Sequence, residues 1–180
     1  MKYLKYALVL IGILIIGFLA LGLIKPKATY ACELVVDKPM TETWDVLQDP
    51  EKLPEWLPGF QRIEHNSGTP GTIGAVSTVY FDNNGETIAI KETITDIQPN
   101  EMMSMKYESD FMDMDYEIRT TSVDGKTKIH SITTAAGNGI LSKSILALMG
   151  SSLKNQEETN LLNLKKAIEQ NTKSYVQNEP

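Results

Sequence analysis

The spacing of apolar residues along the chain changes twice. Ala7 to Ile24 reads ALVLIGILIIGFLALGLI, eighteen residues without a charge. From Tyr30 the pattern alternates: Tyr30, Cys32, Leu34 and Val36 share one face, and Glu33 and Asp37 take the other. Period two marks a half-buried strand. Six further strand stretches follow, at about 60–64, 75–81, 87–97, 102–108, 112–123 and 127–135. Asn83-Asn84-Gly85 and Asp124-Gly125 are hairpin signals between two of these pairs. Short connections with no intervening helix predict antiparallel pairing. After Gly139 the period becomes three and four. Leu141, Ile145, Leu148, Met149, Ser152 and Leu153 repeat, and Leu161, Leu164 and Ile168 resume after a polar middle turn. That spacing predicts an amphipathic helix over 139–171, about 45 Å long at 1.5 Å per residue. A helix of that length needs a cover for its apolar face, and the preceding strands are the only elements large enough. The pattern therefore predicts a curved sheet wrapped around a terminal helix.

Between the first strand and the rest of the sheet lie two short helical signals. Thr41 caps the first, which carries Trp44 and Leu47 inward. Asp49-Pro50 starts the second, with Leu53, Trp56 and Leu57 before Pro58-Gly59 stops it. The run VVDKPMTETWDVLQDPEKLPEWLPGF resembles the opening of the polyketide cyclase/dehydrase and lipid-transport superfamily, the SRPBCC or START-like group. The resemblance rests on Pro39, Trp44, Asp49, Trp56 and Pro58 in that order, and on ETNLLNLKKAIE as the closing helix. It covers about residues 30–171. It implies an α+β helix-grip fold: a curved seven-stranded antiparallel sheet, two short helices and a long C-terminal helix around a cavity.

The uncharged run at 7–24 reaches the lower end of a membrane span and is long for a signal-peptide core. Lys2 and Lys5 precede it, and Lys25 and Lys27 follow it. The positive-inside rule is nearly tied, and the free amino terminus tips it towards a cytoplasmic N-terminus. The expected arrangement is one transmembrane helix in the cell membrane, single-pass, with the soluble domain outside the cytoplasm. Cleavage after Ala-Thr-Tyr-Ala, or lipid attachment at Cys32, are the rivals; Lys25, Lys27 and the strand containing Cys32 weigh against both. The expected division is an anchor at 1–27, a helix-grip domain at 28–172 and a flexible tail at 173–180.

Composition removes several function classes. Formal net charge is −6 from 17 basic and 23 acidic residues. Setting aside Lys2 and Lys5 leaves 15 basic against 23 acidic, a balance of −8. With only two arginines, this is a poor electrostatic match for nucleic acid. One Cys and two His make a His/Cys zinc site unfavourable, so no metal and no cofactor is expected. The glycines at 68–74 lack a Lys-Ser/Thr partner, which argues against a phosphate loop. Cys32 reads as a small buried hydrophobe. His65 falls in a loop and His130 on the outer face.

The candidate chemistry lies on one sheet face. Ile88, Ile90, Glu92 and Ile94 fall together, as do Met103, Met105 and Tyr107, then Met112, Met114, Tyr116 and Ile118. Asp113, Asp115, Glu117 and Arg119 take the solvated face. Five of the eight methionines lie between residues 102 and 114. Methionine adapts to irregular shapes and lines promiscuous apolar surfaces; ordinary core packing uses it in the same way. The candidate ligand-binding set is Glu92, Met103, Met105, Tyr107, Met114 and Tyr116, joined from the helix by Leu148 and Met149. Glu92 is the one inward charge, and burial would raise its pKa. No second acid, base or nucleophile falls in register with it, so binding is expected over catalysis. The expected function is a monomeric, membrane-tethered carrier or sensor for a hydrophobic small molecule or lipid. A cyclase, dehydrase or hydrolase using Glu92 or a tyrosine is the alternative, and a fully packed structural module is the third reading.

Overall fold

The structure is a computed structural model that describes residues 2–175. An N-terminal helix α1 (Lys2–Ile24) leads into strand β1 (Lys27–Val36). Helix α2 (Met40–Gln48), a 3-10 turn (Pro50–Lys52) and the short helix α3 (Leu53–Trp56) follow. Six strands come next: β2 (Phe60–Ser67), β3 (Val76–Asn83), β4 (Glu86–Gln98), β5 (Met102–Glu108), β6 (Met112–Val123) and β7 (Lys126–Gly137). Helix α4 (Ile140–Glu169) closes the fold. The strands form one antiparallel sheet in the order β1-β7-β6-β5-β4-β3-β2. Every neighbour except β1 on β7 is a sequence neighbour, as the short connections require. This is the helix-grip arrangement.

Local chemistry accounts for the turns. Asn84 and Asp124 both have positive φ, each followed by a positive-φ glycine. Successive left-handed residues are what a two-residue hairpin turn needs to match strand twist. Asp49 caps the 3-10 turn as expected, its Oδ1 accepting from the Glu51 N–H at 3.0 Å. Thr41 does not cap α2. The helix starts one residue earlier, after Pro39, with no side-chain cap, because the preset extended φ of Pro39 breaks the strand directly into the helix.

The core lies where the end of α4 meets the sheet and α2. Leu161, Leu164 and Ile168 pack with Trp44, Leu47, Val36, Met103, Ile118 and Ile129. The first half of α4 is held differently. A side chain at Gly137 would strike the backbone of Ser142 and Lys143, and one at Gly22 would strike Ser144. These two glycines let the sheet end and α1 approach the first turns of α4 closely. Apart from that contact, the apolar side chains of α1 are exposed along most of its length. It is the one helix among the described residues long and apolar enough to cross a membrane.

The chain end returns to the domain. Lys173 Nζ donates to Asp49 Oδ2 at 2.7 Å, and the Tyr175 hydroxyl donates to the same oxygen at 2.9 Å. Burial pushes the Asp49 carboxyl up, but Lys173, the Glu51 N–H and Tyr175 together hold it below its ordinary range. The expected tail at 173–180 therefore meets an ordered contact at Lys173 and Tyr175; 176–180 lie outside the described residues.

Candidate functional site

Sheet register sorts the inward residues into rows. One row runs Ile94, Met105, Tyr116, Thr133 and Tyr30 across β4, β5, β6, β7 and β1. The next runs Glu92, Tyr107, Met114, Ala135 and Ala28. A third, beyond a bulge between Ile94 and Asp96, runs Ile97, Met103, Ile118, Ser131 and Cys32. The bulge keeps both Ile94 and Ile97 inward despite their odd spacing. Glu92, Met103, Met105, Tyr107, Met114 and Tyr116 thus share one concave surface.

The helix contributes a group that the strand pattern does not reveal. Helix α4 packs closely on β1 and β7. Its sheet-facing positions recur through Leu146, Gly150, Leu153, Glu157, Leu161, Leu164 and Ile168, a run of three- and four-residue steps. Glu157 sits in the middle of that stripe. Its Oε1 accepts from the Tyr116 hydroxyl at 3.1 Å. The rings of Tyr107 and Tyr116 meet edge to face, centroids 6.3 Å apart. Tyr107 stands directly across from Glu92, and its hydroxyl donates to Met105 Sδ at 3.3 Å. With Glu157 from the helix, the inward face therefore holds two carboxyl groups, three phenols and the hydroxyls of Ser131 and Thr133.

Leu148 and Met149 do not join this surface. They are 61% and 39% exposed. Leu148 lies two residues beyond the buried Leu146, about 200° around the helix, so it turns away from the sheet. With Ile140 and Leu141 they leave an exposed apolar face on the half of α4 that abuts α1. The apolar stripe in the sequence is genuine but has two partners: the sheet at its far end, and the vicinity of α1 at its near end.

Electrostatics mark the inward face of the sheet as desolvated. Burial pushes the phenols of Tyr107 and Tyr116 well above their ordinary range, with Glu92 adding to the first and Glu157 to the second. Burial also raises Tyr30. Glu92 is raised by burial, which outweighs the opposing pull of Tyr107. Yet Glu92, Tyr107, Met114 and Tyr116 are only half-buried, whereas Met103 and Met105 are closed off. A depression of about 270 Å³ opens among Ser104, Asp115, Glu117, Ile132 and Thr134, with Met105 and Tyr116 also in its lining. It is shallow and solvent-exposed. Among the described residues no group of acids, His and Cys could hold a metal ion.

The Glu92 carboxyl gives a pH prediction. Its pKa is raised above the ordinary 4.5, so the folded chain holds this proton more tightly than the unfolded chain. Its contribution to stability is full below about pH 4.5 and is lost as pH rises through the folded pKa. Glu92→Gln cannot ionise. The variant is expected to gain on the wild type between pH 4 and pH 8, read as urea midpoints. An offset that does not change with pH would place the carboxyl in solvent.

Comparison with known proteins gives the class. A family model described as polyketide cyclase / dehydrase and lipid transport matches residues 29–169, and the chain belongs to that family. Solved structures share the fold. The Zhui aromatase/cyclase from Streptomyces aligns with a TM-score of 0.68 at 14% identity, over 82% of this chain and 97% of its own. Ara h 8.0201 aligns with a TM-score of 0.65 at 16% identity, over 81% and 99%. A Chromobacterium violaceum protein aligns with a TM-score of 0.66 at 16% identity, over 80% and 99%. No curated protein matches the chain by sequence.

Proposed function

We propose that the protein is a membrane-tethered binding module, a carrier or sensor, for a hydrophobic small molecule or lipid held between the sheet and α4. The observation that carries this reading is the pair Tyr107 and Tyr116, edge to face on the inward side of the sheet with centroids 6.3 Å apart and only half-buried. Family membership supports the same ligand class. For the tether, α1 is 23 residues long, and its eighteen uncharged residues span about 27 Å against a hydrocarbon core of roughly 30 Å. The exposed face of Ile140, Leu141, Leu148 and Met149 on the helix that packs against α1 supports a membrane-proximal orientation.

Native mass spectrometry of the full chain extracted from membranes tests both parts. The expected result is a chain that retains residues 1–24 and releases a lipophile on activation. A mature start near Cys32 would turn the anchor into a leader. Consistently ligand-free protein that also fails to take up added lipophiles would remove the binding function.

One observation favours a second reading, a cyclase or dehydrase acting through Glu92. The raised carboxyl beside Tyr107 is the environment a general acid needs near neutral pH. The Zhui neighbour, itself an aromatase/cyclase, has the same fold.

A further inference from the structure

Helix α1 and the start of α4 meet backbone to backbone. A side chain at Gly22 would come within 2.6 Å of the Ser144 nitrogen and 2.9 Å of the Lys143 carbonyl carbon. Ser144 is fully buried, and its Oγ lies 3.4 Å from the Leu19 carbonyl oxygen. Only Lys25 and Pro26 separate α1 from β1, so no linker lets the domain swing away from the helix. Leu19 stands one and a half turns before Ile24, the end of the uncharged run, about 7 Å along the axis. A bilayer that takes α1 up to Ile24 therefore reaches Ser144 as well.

What α4 exposes there is apolar. Ile140 and Leu141 in its first turn are 51% and 59% exposed, and Leu148 and Met149 continue the face. Phe111, whose carbonyl accepts from the Asn138 N–H at 2.9 Å, adds an exposed ring just ahead of the helix. These side chains are continuous with the exposed apolar surface of α1, which makes lipid their occupant.

The charges are an independent observation. Among the described residues, six of the 17 basic residues form no ion pair: Lys2, Lys5, Lys25, Lys27, Lys143 and Lys166. Five of those six flank α1. Lys2 and Lys5 lie at its start, Lys25 and Lys27 just past its end, and Lys143 against Gly22. Asp110 and Asp113 also lie at this end of the sheet, where Asp113 Oδ1 accepts from the Asn138 side-chain amide at 2.8 Å. Lysines left unpaired at both ends of an apolar helix suit lipid phosphates, and their stems can lie along the acyl boundary.

Given the tether proposed above, we infer that residues 140–149 of α4 are set into the bilayer interface, with Ile140 and Leu141 at the acyl boundary and Lys25, Lys27 and Lys143 among the lipid phosphates. The contact of Gly22 with Ser144 fixes this depth, and the domain stands on the membrane in one orientation.

Fluorescence quenching in the full chain tests it. Leu141→Cys and Leu162→Cys each take a bimane label; both leucines are exposed on α4, and Leu162 lies at its far end. The native Cys32 is buried, and the wild type labelled in parallel is the blank. The proteins are reconstituted in phosphatidylcholine vesicles carrying lipids spin-labelled near the top of the acyl chain. The Leu141 label is expected to lose about half of its emission or more, since interfacial helices sink roughly 5–10 Å, and the Leu162 label little. Gly22→Val, added to Leu141→Cys, pushes α1 off Ser144 and should bring the quenching down to the Leu162 level. If that variant fails to fold, the comparison of the two labels still decides. Equally weak quenching at both labels, in a chain that resists carbonate extraction, would overturn this inference and leave the tether intact. Quenching at Leu141 that survives Gly22→Val in a folded chain would overturn the fixing role of the joint. A Leu141 label shielded from both the spin-labelled lipid and iodide would put a second copy on the face and overturn the inference. A chain that carbonate strips from the vesicles would overturn both the tether and this inference.

Discussion

Trp44→Ala is expected to lower the stability of the domain by about 3–5 kcal/mol, the usual cost of removing a large aromatic from a closed core. Trp44 is 7% exposed and belongs to the cluster that joins α2 to the end of α4. Its neighbours cannot readily collapse into the space it leaves. Leu47 comes from the same short helix, and Leu164 and Ile168 are fixed on a helix already packed against β1. Urea unfolding in non-ionic micelles, followed by circular dichroism, reads the effect. A loss below about 1 kcal/mol would mean that α2 is not part of the core.

Leu164→Ala carries the second large effect, and its value lies in a contrast along one helix. Leu164 is completely buried at the packed end of α4. Truncating it should cost about 2–5 kcal/mol, transfer energy plus a residual cavity. Leu153 faces the same way three turns earlier but is only half-buried. Because fewer contacts are lost at a half-buried position, Leu153→Ala should cost about 1 kcal/mol or less. Equal losses at both positions, in the same unfolding measurement, would show a uniformly packed interior and favour a structural module.

Strand alternation reports burial directly, and most of the sheet was legible for that reason. Ile129 and Ser131 point in and His130 points out, as the two-residue period requires. Asn84-Gly85 and Asp124-Gly125 announced their hairpins because few other residues tolerate successive positive φ. The inward face that carries Glu92, Tyr107, Met114 and Tyr116 followed from the same count. Glu157 was not legible in that way. A glutamate in GSSLKNQEETN, the polar middle of a long helix, reads as solvated unless the buried stripe is already known. The stripe itself could be phased from Leu161, Leu164 and Ile168, and counting back in steps of three and four from Leu161 lands on Glu157, Leu153, Gly150 and Leu146. Phasing instead from Leu141 and Leu148 selected the exposed face. Two apolar surfaces on one helix, one for the sheet and one towards α1, blur any single moment. The missing cap at Thr41 has a simpler cause, since Pro39 forms the boundary without help from a hydroxyl.

The central claim is that the space in front of Met114 is for a ligand. Met114 is half-buried, faces inward and stands between Tyr107 and Ala135 in its row. Binding of an environment-sensitive fluorescent lipid probe to Met114→Trp, set beside the unfolding midpoint of the same variant, tests that claim most directly. A bulky ring placed in open space should leave the midpoint nearly unchanged and abolish the probe binding that the wild type shows. A variant destabilised by about 1–3 kcal/mol, the cost of overpacking a closed core, in a protein whose wild type binds no probe, would contradict it.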